Sequence, residues 1–303
     1  MLFRSGRLDD ARQHFQAALD LDPDDALARN NLGGILLAMG EPDEAIPHFD
    51  AAIQAMPNFA GTRFNLAVAY VTVGRLDEGK EQVELGRRIE PDNAGALHGF
   101  AMALHDRGRP NDALPYVEAA IVLQPDNAEI RYGLAVVLQD CGDLTRSISH
   151  YREAVRLNPR DVRFHLGFGH VCRAIGDIPA SDAHYAHASQ VDPEWIARMD
   201  AEAWWLAVHP ESRRRNGPRA VRQGEQICQA TAFARPDLLD TLAAGYAEVG
   251  RFDKAVELAN NALAKLSSPK APLTLDIRER LRLYEARQPF RAQIKPDPRV
   301  RSN

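Results

Sequence analysis

The chain has 303 residues, of which 45% are apolar, 26% are charged and 7% are aromatic, and its formal net charge at pH 7 is -5. A mildly acidic chain has no electrostatic reason to bind a polyanion, so nucleic acid is disfavoured as a partner. Three cysteines without CxxC spacing indicate neither a disulfide framework nor a zinc knuckle. No segment approaches the roughly 20 apolar residues of a membrane helix. We therefore expect a cytoplasmic chain that does not insert into a membrane.

The first two thirds of the sequence repeat every 34 residues. Frequent Ala and Leu favour helix throughout, and proline interrupts it at positions 23, 57, 91, 125, 159 and 193. Proline ends a helix because it lacks an N–H, and the Asp or Asn beside it can cap the next helix. Glycines keep the same register at 6, 40, 74, 108, 142 and 176, where each is predicted to turn one helix into the next.

Residues 1–25 are predicted to form a partial unit. Gly6 and Leu8 already occupy late positions of a first helix and its turn, so Met1 falls in the middle of that helix. Half a helix would leave the apolar face of its neighbour open. We expect the chain to be a fragment, or its true start to lie upstream.

Residues 26–195 contain five units in unbroken register. Their first helices carry a bulky residue followed by a small one, as in Leu32-Gly33, and their second helices carry a small residue four positions before a bulky one, as in Ala45 and Phe49. The i, i+4 spacing places small and large side chains on one helix face. A bulky residue of one helix can then nest where its neighbour leaves room.

After residue 195 the register loosens. Residues 196–235 are predicted to be a degenerate unit with a loop insertion containing RRRNG, which either stays solvated or docks an acidic partner. A clean unit follows at 236–269. Residues 270–290 place Ile277, Leu281 and Tyr284 on one apolar stripe, which is typical of a capping helix. Residues 291–303 are predicted to be a disordered tail.

These units resemble the tetratricopeptide repeat, whose pattern of Trp, Leu-Gly, Tyr, Ala, Phe and Pro runs over 34 residues. The resemblance implies an all-α fold, a right-handed α-solenoid of stacked antiparallel helix pairs with a C-terminal solvating helix. The chief departure is at the tryptophan position of the family, which holds Arg29, Arg63, Leu97, Arg131 and His165. The ending is similar to the closing segment of bacterial arrays, some of which follow a membrane glycosyltransferase domain.

The resemblance also implies a peptide-binding groove lined by the first helix of each pair. Asn31 and Asn65 stand where some members of the family carry an asparagine ladder that holds a peptide backbone, although Gly99, Gly133 and Gly167 interrupt it here. The alternative is that both asparagines are tolerated polar positions. Carried over position by position, the predicted groove residues are Asn30, Asn31, Phe64, Asn65, Val68, His98, Met102, His105, Tyr132, Gln139, His170 and Arg173.

No catalytic, metal or cofactor motif is predicted. His14, His48, His150 and His184 recur at one repeat position, too far apart to share a zinc ion, and His184 with His187 forms at most an incomplete chelate. The leading hypothesis is a noncatalytic scaffold that binds a peptide or protein segment in the groove. The alternative is the substrate-recruiting or regulatory part of a larger enzyme, such as a glycosyltransferase, with its catalytic part upstream of Met1.

Overall fold

The computed structural model describes residues 2–292, which form sixteen α-helices and one short 3-10 helix and contain no strand. The helices are α1 Leu2–Leu21, α2 Ala26–Ala38, α3 Pro42–Ala55, α4 Ala60–Thr72, α5 Leu76–Ile89, α6 Ala94–Asp106, α7 Pro110–Leu123, α8 Ala128–Asp140, α9 Leu144–Leu157, α10 Val162–Ala174, α11 Ile178–Val191, α12 Trp195–Val208, α13 Gly217–Ala230, α14 Pro236–Glu248, α15 Phe252–Ala264 and α16 Pro272–Glu285, with the 3-10 helix at Ser212–Arg214. The predicted class, an all-α solenoid of stacked helix pairs, is confirmed.

The chain divides into two compact units, Met1–Pro159 and Arg160–Asn303. Unit 1 contains α1 to α9, in which each first helix packs on the second helix of its own pair, and α2, α4 and α6 also pack on the first helix of the next pair. Unit 2 contains α10 to α16 and begins at the last pair of the predicted five-unit stretch. Among the described residues, no helix is long and apolar enough to cross a bilayer.

The joints and turns form as their sequences predict. The six second helices from α1 to α11 each end two residues before a joint proline. Asp25 then accepts hydrogen bonds from the backbone N–H groups of Leu27 and Ala28, which caps α2, and Asn127 caps α8 in the same way. The turn glycines at 40, 74, 108, 142, 176 and 250 all have φ between 71° and 87°. That left-handed conformation is strained for a residue with a Cβ.

Small residues on the first helices make room for bulky residues on the second. A Cβ atom added to Gly33 would lie only 2.7 Å from Cε1 of Phe49, whose side chain is fully buried. Gly169 and Tyr185 repeat the arrangement in unit 2, where the corresponding separation is 3.2 Å. The predicted nesting of large against small residues is therefore present in both units.

In unit 2 the predicted apolar stripe on α16 buries Ile277 and Tyr284 against α14 and α15, and it also buries Arg280. The guanidinium of Arg280 makes two hydrogen bonds with the carboxylate of Asp240, at 3.0 and 2.6 Å. Its planar face also lies over the ring of Trp204, 5.1 Å from the centroid. The sequence reading missed this buried ion pair, because its two members are 40 residues apart.

The start and the end of the chain differ from expectation in part. The predicted turn at Gly6 is wrong, because α1 runs without a break from Leu2 to Leu21. Only five residues precede Gly6 in this sequence, too few to form a packed first helix. At the other end, Arg291 forms an ion pair with Glu248 at 2.7 Å, and the rest of the predicted tail, 293–303, lies outside the described residues.

Candidate functional site

Ten of the twelve predicted groove residues lie in unit 1, on the four first helices α2, α4, α6 and α8. Each of these helices contacts the next first helix along the chain: α2 contacts α4, α4 contacts α6, and α6 contacts α8. Their side chains therefore share one surface. His170 and Arg173 lie on α10 in unit 2.

Three asparagines are joined by hydrogen bonds across α2 and α4. The Nδ2 group of Asn65 donates to Oδ1 of Asn30 at 3.1 Å, and the Nδ2 group of Asn30 donates to Oδ1 of Asn31 at 3.4 Å. Asn30 is buried, whereas Asn31 is exposed. We call Asn30, Asn31 and Asn65 the asparagine chain. Its two ends, Nδ2 of Asn31 and Oδ1 of Asn65, have no hydrogen-bond partner within the described residues.

The surface beside the asparagine chain is open. A Cβ atom added to Gly34 or Gly99 would meet no other atom within 4 Å. The first helices therefore present bare backbone at these two positions. A ligand chain can approach α2 and α6 closely there.

Phe64 and Val68 lie mainly in the core rather than on the open surface. The Phe64 side chain is 4% exposed, and its ring fits against Gly86, where an added Cβ would lie 3.0 Å from Cε1. Val68 is half-buried and packs on the same core. The geometry gives Phe64 a packing role, so its ring is not part of the open surface.

The side chains of His98 and Met102 pack against Gly133 on α8, the next first helix. A Cβ atom added to Gly133 would lie 2.4 Å from Nε2 of His98 and 3.2 Å from Sδ of Met102. Burial lowers the pKa of His98, and the opposing effect of the Glu129 carboxylate is smaller. Gly133 is therefore more than an interruption of the asparagine ladder, because it brings α6 and α8 together.

His105 is 1% exposed and binds Asp140, with 2.7 Å between Nε2 and Oδ2. Asp106 lies 3.8 Å from the other ring nitrogen. Since the imidazole is enclosed, a ligand would meet the Asp140 carboxylate rather than His105 itself. His105 therefore orients that carboxylate from its buried side.

Tyr151 of α9 contacts both Tyr132 and Gln139. The Tyr132 and Tyr151 rings meet edge to face, with centroids 5.9 Å apart. The Tyr151 hydroxyl donates to Oε1 of Gln139 at 3.2 Å. Both predicted residues are partly exposed, so each can contact a ligand from a fixed position.

In unit 2, His170 is half-buried and Arg173 is bound within its own helix pair. The Arg173 guanidinium donates to Asp182 at 2.6 Å and to the Ser181 hydroxyl at 3.2 Å. Its charge is therefore already paired. We do not include these two residues in the surface of unit 1.

The recurring histidines have a structural explanation that the sequence reading missed. In two units the residue at the tryptophan position of the family contacts the residue 19 positions later on the second helix: Arg63 donates to Gln82 at 3.2 Å, and His165 lies 3.0 Å from His184. Burial lowers the pKa of His48 and of His150, and the cations Arg29 and Arg131 lower it further. The constant 19-residue offset between the two positions could have predicted this contact from the sequence.

His187 completes a histidine cluster with His165 and His184. The rings of His165 and His187 have centroids 4.1 Å apart, and Phe168 covers His184 at 4.2 Å. Burial, together with the charges of His165 and His187, lowers the pKa of His184 to about 4. Within residues 2–292, no three His, Cys, Asp or Glu side chains are placed to hold a metal ion.

The RRRNG loop and two of the three cysteines make local contacts or are buried. Arg215 of the RRRNG loop binds Glu248 and the backbone carbonyl of His209, each at 2.8 Å, and Asn216 caps α13. Burial raises the pKa of the Cys141 thiol, and it raises the pKa of Cys228 to about 12. Neither thiol is activated as a nucleophile.

The architecture defines a helical repeat protein of the solenoid class. Two family models, both described as tetratricopeptide repeat, match the sequence, one over residues 2–60 and 98–162 and the other over residues 36–101. The chain belongs to the tetratricopeptide repeat family. Members of this family generally act as protein-interaction modules. A comparison with curated proteins finds no match.

Several solved structures are similar to this chain. Yeast Tom70 is 15% identical, with 92% of this chain and 59% of that chain covered and a TM-score of 0.52. The Cut9–Hcn1 hetero-tetramer of the APC/C is 16% identical, with coverages of 90% and 52% and a TM-score of 0.50. YrrB, described as a TPR protein with an unusual peptide-binding site, is 20% identical, with coverages of 62% and 96% and a TM-score of 0.45. At these identities the likeness concerns the fold alone.

Proposed function

We propose that this chain is a noncatalytic scaffold that binds an extended peptide or protein segment on the first helices of unit 1. The contact surface consists of Asn31, Asn65, Met102, Tyr132 and Gln139, which we call the first-helix surface. The observation that carries the proposal is the pair of unsatisfied groups at the ends of the asparagine chain, one donor and one acceptor.

A peptide backbone offers the complementary pair of groups, a C=O and an N–H, at every residue except proline. The Nδ2 group of Asn31 donates to the peptide carbonyl, and Oδ1 of Asn65 accepts from the peptide N–H. Because Asn30 holds Asn65 in place, little side-chain entropy is lost when the peptide binds. Each such hydrogen bond contributes about 1 kcal/mol net, so the amides favour an extended chain without selecting its sequence.

Side-chain selection falls to Met102, Tyr132 and Gln139. Tyr132 is a partly exposed aromatic ring fixed by Tyr151, and Met102 is a partly exposed apolar residue of α6 whose sulfur lies against Gly133, the residue after Tyr132. Aromatic anchors of this kind contribute most of the affinity of peptide sites. The surface therefore suits a segment that places an apolar side chain near Tyr132.

The test compares the intact chain with a triple variant, Asn31→Ala, Asn65→Ala and Tyr132→Ala, as baits in a pull-down, after circular dichroism has shown that both are helical. Bound proteins are identified by mass spectrometry, and a synthetic peptide from each partner is then titrated into both baits. We expect the triple variant to lose the partners and to bind the peptides at least tenfold more weakly, which corresponds to about 1.4 kcal/mol.

A matched control is Asn260→Ala, an exposed asparagine on α15 in unit 2, which should retain every partner. An identical partner list for the intact chain and the triple variant would refute binding at the first-helix surface. The alternative function, substrate recruitment for a larger enzyme, uses the same binding step. A partner that is modified at the bound segment would favour that alternative.

A further inference from the structure

Unit 2 contains a cleft of about 670 Å³ whose walls are α13 and α15 and whose floor is α14. We call it the second-unit cleft. Its volume falls within the range of about 300 to 1,000 Å³ that is typical of ligand sites. All of its lining residues lie between Glu225 and Lys265, so it shares no residue with the first-helix surface.

The floor of the cleft is rigid. Leu242 is 1% exposed and Tyr246 is 5% exposed. The Tyr246 hydroxyl donates to the Glu225 carboxylate of α13, which ties the floor to one wall. A ligand therefore meets a preformed surface, and the loop that follows α13 forms one rim.

That loop holds an unusual backbone conformation. Ala232 and Phe233 have φ values of 49° and 55°, and the left-handed region is strained for a residue with a Cβ. Hydrogen bonds from Ala232 N–H to Gln229 O at 3.0 Å and from Phe233 N–H to Cys228 O at 2.7 Å hold the loop there. Yet the Phe233 side chain remains 40% exposed.

Strained backbone that displays a large apolar ring to solvent points to a contact made by that ring. Packing within unit 2 does not account for it, since much of the ring stays in water. Phe233 lines the cleft at its rim. A bulky apolar group entering the cleft would cover this ring and the sides of Ala232 and Leu242.

The charges of the lining indicate which charged group would suit the cleft. Glu225 is bound to Tyr246, and Lys254 is bound to both oxygens of Glu257, at 2.9 and 3.0 Å. Lys265 is exposed and has no partner among the described residues. Glu225 keeps its negative charge in that hydrogen bond, because the Tyr246 hydroxyl is neutral, so the described lining carries two anions and two cations. Lys265 is the exposed cation among them, and an anionic group beside it complements it.

Two amides lie on opposite walls. Gln229 on α13 accepts a hydrogen bond from the Tyr185 hydroxyl at 3.4 Å through Oε1, which leaves its NH₂ group for a ligand. Asn261 on α15 is exposed and has no partner within the described residues. Paired amides across a cleft suit a peptide backbone, which carries both donors and acceptors.

We propose that the second-unit cleft binds a short extended peptide segment with an aromatic or long aliphatic side chain beside an Asp or Glu. The apolar side chain packs on Phe233, the carboxylate pairs with Lys265, and Gln229 and Asn261 bond the peptide backbone. This site is separate from the first-helix surface, so the chain would hold two segments at once.

The probe is a fluorescein-labelled hexapeptide, Gly-Ser-Phe-Asp-Ser-Gly, titrated into the full chain and followed by fluorescence anisotropy. We expect saturable binding. Peptides with Ala in place of Phe, or Lys in place of Asp, should bind at least about fivefold more weakly, because each loses one of the two side-chain contacts. Absence of saturable binding of the parent peptide up to about 1 mM would overturn the proposal.

Two variants locate the site, and circular dichroism confirms the fold of each. Phe233→Ala and Lys265→Glu should each weaken binding about fivefold or more, whereas Lys270→Glu, an exposed lysine outside the cleft, should not. Binding that neither Phe233→Ala nor Lys265→Glu alters would also overturn the proposal. The Asn31, Asn65 and Tyr132 triple variant should bind the hexapeptide normally, so failure of one site is distinguishable from failure of the other.

Discussion

Unit 1 repeats one arrangement, whereas unit 2 combines several unlike connections. From α2 to α9 every helix has 13 or 14 residues, each pair closes through a left-handed glycine, and each joint carries a proline. In unit 2 a 3-10 helix separates α12 from α13, and two strained residues, Ala232 and Phe233, separate α13 from α14. The two units are therefore stabilised by different kinds of contact.

In unit 1 the contacts are mainly apolar and join nearest neighbours, which is how repeat arrays gain stability. In unit 2, ion pairs hold the irregular elements. Asp240 binds Arg280 across α14 and α16, and Glu248 binds both Arg215 and Arg291. Regular repeats need only the right side-chain sizes, while an insertion and a capping helix need contacts that specify one geometry.

The largest effect should follow from breaking the buried pair in unit 2. Arg280→Ala leaves Asp240 as a buried, uncompensated carboxylate, which costs about 3–5 kcal/mol. The three tryptophans, Trp195, Trp204 and Trp205, all lie in unit 2, so urea unfolding followed by tryptophan fluorescence reports on this unit alone.

The control for this prediction removes both charges. Asp240→Leu combined with Arg280→Met should recover most of the lost stability, because no charge is then buried alone. A single variant within about 1 kcal/mol of the parent would show that the pair does not hold α16.

The next effect tests, at two adjacent glycines of unit 1, whether small residues on the first helices make room for bulky residues on the second helices. Gly33→Ala forces a Cβ to within 2.7 Å of Phe49, and overpacking of this kind costs about 1–3 kcal/mol. Gly34→Ala meets no atom within 4 Å and should stabilise the helix by about 0.5–1 kcal/mol. Urea unfolding followed by circular dichroism measures both, and equal effects at the two positions would contradict this packing.

A smaller effect, an increase in the stability of unit 2, should come from relieving the strained loop. Ala232→Gly relieves the left-handed strain at φ 49° and should stabilise unit 2 by about 1 kcal/mol. Ala234→Gly, two residues away and without a positive φ, should not stabilise it. The tryptophan unfolding curve again provides the measurement, and an unchanged midpoint for Ala232→Gly would show that the loop relaxes without cost.

The smallest effect should be the pH dependence of the histidine cluster. His184 has a pKa of about 4 in the fold, below the ordinary histidine value of 6.5, so the unfolded chain binds the proton more readily. Its contribution to stability is complete above pH 6.5 and is lost as the pH falls towards 4. We expect a loss below about 1 kcal/mol, since the side chain is only half-buried and solvent screens it.

The pH test compares the parent with His184→Gln, from pH 7 to pH 5, by tryptophan fluorescence in urea. The comparison is needed because Asp240, whose pKa burial raises to about 6, changes stability in the opposite direction as the pH falls. The parent should lose more stability than the variant. Parallel pH profiles would contradict the role of His184.

The sequence by itself determined the elements and their order. Proline at the joints and glycine at the turns act through their own backbone chemistry, and caps such as Asp25 bond to residues two and three positions away. Such local effects recur with the repeat, so they could be read from spacing alone. The exception was Gly6, where the register continued but α1 runs through the predicted turn.

Only the tertiary structure decided which groove positions are open and which are packed. Asn65 bonds to Asn30 across 35 residues, Phe64 turns into the core against Gly86, and Arg280 reaches Asp240 across 40 residues. These outcomes depend on the distance and rotation between helices that are remote in sequence. Spacing within one helix does not specify them, because the same repeat position is buried at Asn30 and partly exposed at Tyr132.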